Sequence, residues 1–335
     1  MGTVASIADS QVSLVRHTTP PTSPTIYIPN FAPSSATTLS IPPTPTDVRH
    51  SLILRSKPRA GPARAVTLIL HTLKSYPQMI LRDNTLPPYI HPHLVSPDFG
   101  NNDMEPLNNC ISLMQMISRE VQGSKKLFWK NVRLECDRMI AEVSSFNKWE
   151  LLASMHALSI YTLYRVSEGE TEYNNSDALL LATMTAVATQ LVIADTSYAP
   201  LAHTCWLDWL YTESRRRLSI VFRIINLIVY FDLGATCSLY STLLLAPLPS
   251  KKSLWEAPDE LAWKSEYDKQ PEQRSSFGLT KDGALVRLDE NDLICGYGEF
   301  ELQPDARTSA QNWAEWCAGM DGFGGLILLA ASMVG

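Results

Sequence analysis

His91 and His93, one residue apart, have the chemistry to ligate a metal. Zinc and its neighbours need three or four such donors. Here prolines flank the pair, and no third His, Cys or carboxylate cluster follows at a useful spacing, so no metal is expected. The six cysteines (Cys110, Cys136, Cys205, Cys237, Cys295 and Cys317) are dispersed, without a C-x-x-C pair. They are expected to be ordinary thiols of a reducing compartment rather than a metal or disulfide framework. Glu213 stands three and four residues before Arg216 and Arg217, which places a carboxylate and two guanidiniums on one helix face. That spacing suits either an anion site or an ion-pair cluster tying the helix to its neighbours, and the second is expected. Trp206/Trp209 and Trp313/Trp316 are each three apart, among Leu, Ala, Glu and Asp, a setting for inter-helix packing rather than base stacking.

Motifs with a catalytic mechanism are missing. The chain has no H-E-x-x-H, no G-x-S-x-G and no P-loop, and Gly296-x-Gly298 and Gly322-x-Gly324 are too short for a dinucleotide fingerprint. Catalytic, cofactor-binding and metal residues are therefore all expected to be none, and the chain is not expected to be an enzyme.

The elements that would carry these residues read as helices. The chain has 335 residues, 45% of them hydrophobic, 19% charged, and only 15 glycines against 22 prolines. That is enough apolar material for a sizeable core, and the few glycines argue against many tight strand–helix turns. Helical spacing appears at Val66, Ile69, Leu70 and Leu73 up to Pro77, and again from Pro106, where Gly123 is expected to stop the helix and Ser124 to cap the next. Phe128, Val132, Cys136, Met139 and Val143 line a third helix, Asn147 with Glu150 opens a fourth through a capping box, and Asp177 caps a fifth. A sixth is expected from Trp206 to Phe231, and one apolar helix from Trp313 to Leu329 closes the chain. Between the first two helices, Asp83–His93 reads as an extended segment on a surface. No alternating strand stands out, although a short hairpin at Lys281-Asp282-Gly283 is conceivable. No internal repeat is evident. The fold class is all-α, a multi-helix body over 62–335 with a Pro/Ser/Thr-rich disordered tail over 1–61.

Eight prolines between Pro20 and Pro45 support the tail, and Thr19-Pro20, Ser23-Pro24 and Thr44-Pro45 have the form of proline-directed phosphorylation sites common in such tails. No apolar leader opens the chain, and Met1-Gly2-Thr3-Val4-Ala5-Ser6 fits a myristoylation pattern by chance rather than as an anchor. Ala178–Ala194 and Leu218–Phe231 are apolar, yet they read as buried helices and not as membrane spans. Charge is split along the chain. Residues 1–65 hold six basic and two acidic side chains, whereas the rest hold 22 basic and 32 acidic. An acidic body repels phosphate, so unaided nucleic-acid binding is not expected of it.

Several segments together resemble the fungal-specific transcription factor domain, the "middle homology region" found downstream of zinc-cluster or zinc-finger modules. They are Ser75–Ile80 with Leu86–Pro92, Trp149–Leu152 through Tyr161, Trp206-x-x-Trp209-x-x-x-Glu213-x-Arg215-Arg216-Arg217, Pro247–Pro249 with Leu254–Ala257 and Trp263, and Trp313 to Gly324. The resemblance covers about residues 62–335 and keeps the family's order. It implies a helical regulatory domain in the nucleus, acting on gene expression, often of secondary-metabolite clusters, with other transcription factors or co-regulators as partners. A dimer is left open. The departure is the missing DNA reader, since residues 1–61 contain no cysteine. DNA contact is thus expected only indirectly or weakly, whether the protein works through a partner or the sequence is a truncated or divergent member. A helical biosynthetic enzyme is the alternative, but it would need carboxylate clusters of the D-D-x-x-D kind, and here acids are scattered. A helical scaffold without a transcriptional role is the other.

Overall fold

A computed structural model describes residues 52–54, 63–83, 85–97, 99, 103–119, 121–196, 205–230, 242–269, 276–288 and 306–333. The expected tail (apart from 52–54), its phosphorylation and acylation motifs, Cys237, Cys295 and Gly296-x-Gly298 lie outside these residues. The described chain is mostly helical. Its helices are α1 (Ala63–Gln78), α2 (Glu105–Ser118), α3 (Ser124–Glu142), α4 (Lys148–Glu168), α5 (Asp177–Thr196), α6 (Trp206–Ile228), α7 (Lys252–Trp255), α8 (Glu260–Lys269), α9 (Ala306–Gly319) and α10 (Gly324–Ala331).

Helix α4 forms the axis. Every residue from Leu151 to Arg165 is buried, and α1, α2, α5 and α6 pack around it. A helix apolar on all sides belongs in an interior. Its polar members bond locally: Thr162 Oγ1 donates to the Leu158 carbonyl (2.7 Å) and Ser159 Oγ to that of His156 (2.6 Å). The start is the expected capping box. Asn147 Oδ1 accepts from the amides of Trp149 and Glu150 (2.8 and 3.1 Å), and Glu150 Oε2 accepts from the Asn147 amide (2.7 Å). Helix α5 is apolar around its circumference, and Thr183, Thr185 and Thr189 each return their hydroxyl to the carbonyl four residues back. Over Asp177–Ala194 it is long and apolar enough to cross a membrane by length and composition; here it packs on α3 and α4.

Several boundaries differ from the sequence expectations, each for a local reason. Helix α1 runs through Pro77 and continues as a π-helical turn, Met79–Asp83. Proline's missing N–H and ring affect only the turn before it, and here they interrupt neither that turn nor the helix. Gly123 does not stop α2, which ends at Ser118. It precedes α3 instead, in the left-handed region (φ 81°), while Ser124 is a helical residue and not the cap. Asp177 is likewise inside α5, whose first turn closes from the Leu180 amide to the Ser176 carbonyl at 3.0 Å. The Asp177 carboxylate is engaged elsewhere, by Arg165 Nε at 2.8 Å and the Leu52 amide at 3.0 Å. Helix α6 ends at Ile228, where the chain turns extended. The closing segment is two helices, α9 and α10, parted over Met320–Phe323, where Asp321 Oδ1 accepts the Phe323 amide.

Strands are also present. Within the stretch expected to be tail, β1 (Ile53–Leu54) pairs antiparallel with β2 (Val229–Tyr230), so the body reaches back at least to Leu52. A second antiparallel sheet has the order β3 (Leu243–Leu245), β4 (Ser276–Thr280), β5 (Leu285–Leu288). The β4–β5 turn is the hairpin at Lys281–Gly283, with Gly283 at φ 84°. Helix α9 covers the free edge of β5: Ser309 Oγ accepts from the Leu285 amide (3.0 Å) and Asn312 Nδ2 donates to its carbonyl (2.8 Å). An edge satisfied this way cannot recruit another strand at that position.

Candidate functional site

Five residues converge on Arg217, in the middle of α6. Its side chain is fully buried, so its charge must be matched inside the protein. Nε donates to Glu213 Oε1 at 2.9 Å, one helical turn earlier. Nη1 donates to Asp321 Oδ2 at 2.5 Å and to the Pro88 carbonyl at 3.3 Å. The guanidinium lies 4.0 Å from the Trp255 ring centroid and 5.7 Å from that of Phe323. Stacking on aromatic faces suits a delocalised, weakly hydrated cation.

Both oxygens of Glu213 are engaged. Besides Arg217, its carboxylate forms an ion pair with Arg216 Nη1 (3.2 Å) and accepts from the Ser250 amide (2.9 Å) and Ser250 Oγ (2.8 Å), and Arg216 Nη1 donates to Ser250 Oγ (2.9 Å). Asp321 completes the balance of two acids and two bases, and its Oδ1 accepts the Phe323 amide at 3.0 Å, which opens α10. This arrangement is an internal clamp. It fastens the Pro88 loop, the segment around Ser250 and Trp255, and the α9–α10 corner to α6. Of the two chemistries the Glu213/Arg216/Arg217 spacing allowed, the structure contains the ion-pair cluster.

The Leu86–Val95 segment is a buried plug rather than a surface strap. Pro87, Tyr89, Ile90, His91 and Leu94 are all buried. The Tyr89 hydroxyl hydrogen-bonds Ser159 Oγ at 2.8 Å, and its ring packs 5.6 Å from Tyr76 and 6.0 Å from His156. Burial pushes the Tyr76 and Tyr89 hydroxyls far above the usual phenol range, and pushes the His156 imidazole down to about 3. These rings are held neutral at physiological pH.

His91 and His93 do not form a metal pair. His91 Nδ1 accepts the His93 amide (3.1 Å), which fixes the tautomer, and Nε2–H donates to the Trp255 carbonyl at 2.8 Å. Both ring nitrogens are spent on the chain, and burial pushes its pKa down to about 4. His93 instead lies 4.7 Å from the Trp206 ring. Among the described residues no group of three His, Cys, Asp or Glu could hold a metal. The other singled-out tryptophans pack as expected: Trp209 lies 5.9 Å from Trp263, and Trp313 lies 5.9 Å from Trp316. Trp316 Nε1 donates to the Pro249 carbonyl at 3.3 Å.

Sequence spacing pointed to Glu213, Arg216 and Arg217 but not to Asp321, Ser250, Pro88 or Trp255. One signal was available for Asp321, a lone acid just before the apolar run Phe323–Ala331, where an unpaired charge would be costly.

Open concavities are also present, the second of them bordering the clamp. One of about 540 Å³ sits at the α2–α3 corner, lined by Met116, Arg119, Val121 and Leu127 among others. Another of about 650 Å³ lies between α7 and α9, lined by Lys251, Lys252, Glu256, Glu315 and Met320. No protein-family model, curated protein or solved structure matches the chain.

Proposed function

We infer that this chain is a nuclear regulator of transcription from a fungus, acting on genes of secondary metabolism through partner proteins that carry the DNA reader. One observation supports this reading. Segments that resemble the fungal-specific transcription factor domain lie far apart in sequence, yet Pro88, Glu213, Arg217, Trp255 and Asp321 from those segments meet in the buried clamp. A resemblance spread over loose motifs gains weight when its residues belong to one cluster. The clamp serves architecture, so regulation would be exerted by the body's outer surfaces.

The test is to tether residues 52–333 to a heterologous DNA-binding module upstream of a reporter in a fungal host. A change in transcript of severalfold, up or down, is expected, with loss of the effect in Arg217→Met. An unchanged reporter despite stable nuclear protein would overturn the reading.

A further inference from the structure

Helix α3 breaks the rules of helix stability on one face only. Its first turn holds no acid but carries Lys125 and Lys126, where the helix dipole disfavours cations. Lys126 and Lys130 are a like-charge pair four residues apart, and Arg133 extends the row. Lys125 is paired with Glu168 at 3.3 Å. Arg119, Lys126, Lys130 and Arg133 are exposed and have no ion-pair partner among the described residues. On its other flank the same helix pairs Arg138 with Glu135 and Glu142 in the ordinary way. The uncompensated row is flanked by large apolar side chains left in water: Val121 is 62% exposed, Leu127 49% and Leu134 56%. The row leads into the 540 Å³ concavity at the α2–α3 corner, which Arg119 and Leu127 both line.

We propose that the Lys126/Lys130/Arg133 face of α3, with the Arg119–Leu127 concavity, docks an acidic amphipathic segment of a partner protein. Carboxylates of such a segment would meet the four unpaired cations, and its large apolar side chains would cover Val121, Leu127 and Leu134, as in helix-in-groove recognition. Charge complementarity selects this occupant. Outside residues 1–65 the chain carries 22 basic against 32 acidic side chains, so a cationic stripe is the local exception. Nucleic acid fits less well, since the exposed Val121, Leu127 and Leu134 give nothing to phosphates; Asp137, one turn beyond Arg133, bounds the row. The inference rests on α3 alone and holds whether or not the protein regulates transcription.

The test is anisotropy titration of the full chain with three labelled probes. They are a peptide of about 18 residues with Glu and Leu/Phe in helical amphipathic order, the same peptide with Gln for Glu, and a random duplex of similar length. The acidic peptide should bind, weakening about tenfold between roughly 50 and 300 mM salt. Lys126→Glu/Lys130→Glu/Arg133→Glu should weaken it by at least about tenfold, and Val121→Ser/Leu127→Ser/Leu134→Ser by a similar factor. All six side chains are exposed, so circular dichroism should be unchanged. If the reversed-charge protein fails to fold, the triple Gln variant replaces it, with a smaller loss in the same direction. The proposal is overturned if the acidic peptide does not bind, if the Gln peptide binds as well, if the serine variant binds normally, or if the duplex displaces the peptide.

Discussion

Replacing Arg217 with Met removes a charge while keeping most of the packing volume against Trp255. The structure indicates how much should be lost. Glu213 is 1% exposed and Asp321 6%, so two carboxylates would remain in the interior with Arg216 as the nearby cation. Arg216 reaches Glu213 at 3.2 Å but makes no bond to Asp321, whose other oxygen is already held by the Phe323 amide. Breaking a buried pair by removing one partner costs about 3–5 kcal/mol. At about 2–3 °C per kcal/mol for a domain of this size, the thermal midpoint should fall by roughly 6–15 °C. The assay is paired urea and thermal unfolding of Arg217→Met, Glu213→Gln and the double variant. The cycle should show a coupling of at least about 1 kcal/mol, because the double variant no longer strands Glu213. A loss below about 1 kcal/mol, or strict additivity, would refute the reasoning and mean that water reaches the clamp.

Other outcomes follow from other parts of the molecule. Asn147→Ala should cost about 1–2 kcal/mol in urea unfolding, since Oδ1 satisfies two first-turn amides. The pKa of His91 is about 4 in the folded chain, below its ordinary 6.5. The unfolded chain therefore binds the proton more readily, and this contribution to stability is complete above about pH 6.5 and lost as pH falls toward 4. The loss should reach about 3 kcal/mol near pH 4, and a pH series on His91→Asn should show a flatter acid limb. Gly123→Ala should cost about 1 kcal/mol through its positive φ alone, because a Cβ there meets nothing within 4 Å. The purified chain should enrich no motif from random duplexes near physiological salt, with or without zinc, as judged by selection and sequencing.

The helical class and most helix cores were legible because the relevant signals are local. Apolar spacing marked Phe128, Val132, Cys136 and Met139, all buried on α3, and Asn147 with Glu150 marked a helix start through bonds that span only three residues. Pro77 misled because proline is read as a helix stop, whereas here it falls in the last turn of α1 and the chain stays helical through Asp83. The strand β3, Leu243–Leu245, shows no alternation because all three residues are buried; such a run looks the same as buried helix until its partner is known. The clamp was half visible. Glu213 and Arg217 are one turn apart and can be paired on paper. Asp321 lies 104 residues from Arg217 and Pro88 lies 129 away, and no local rule joins them.

Those separations bear on how the chain reaches its folded state. Contacts that close loops of this length add little until most of the intervening chain is already in place. The α1–α4 region can gather through shorter-range helix packing, while Arg217 waits for Pro88 from before it and Asp321 from after it. During synthesis the guanidinium would remain hydrated until the last quarter of the sequence has emerged. Interactions that form after the rate-limiting step slow unfolding more than they speed folding. The clamp would then act as a latch that sets the lifetime of the folded protein, and a chain ending before Asp321 would lose that latch with most of its core still encoded.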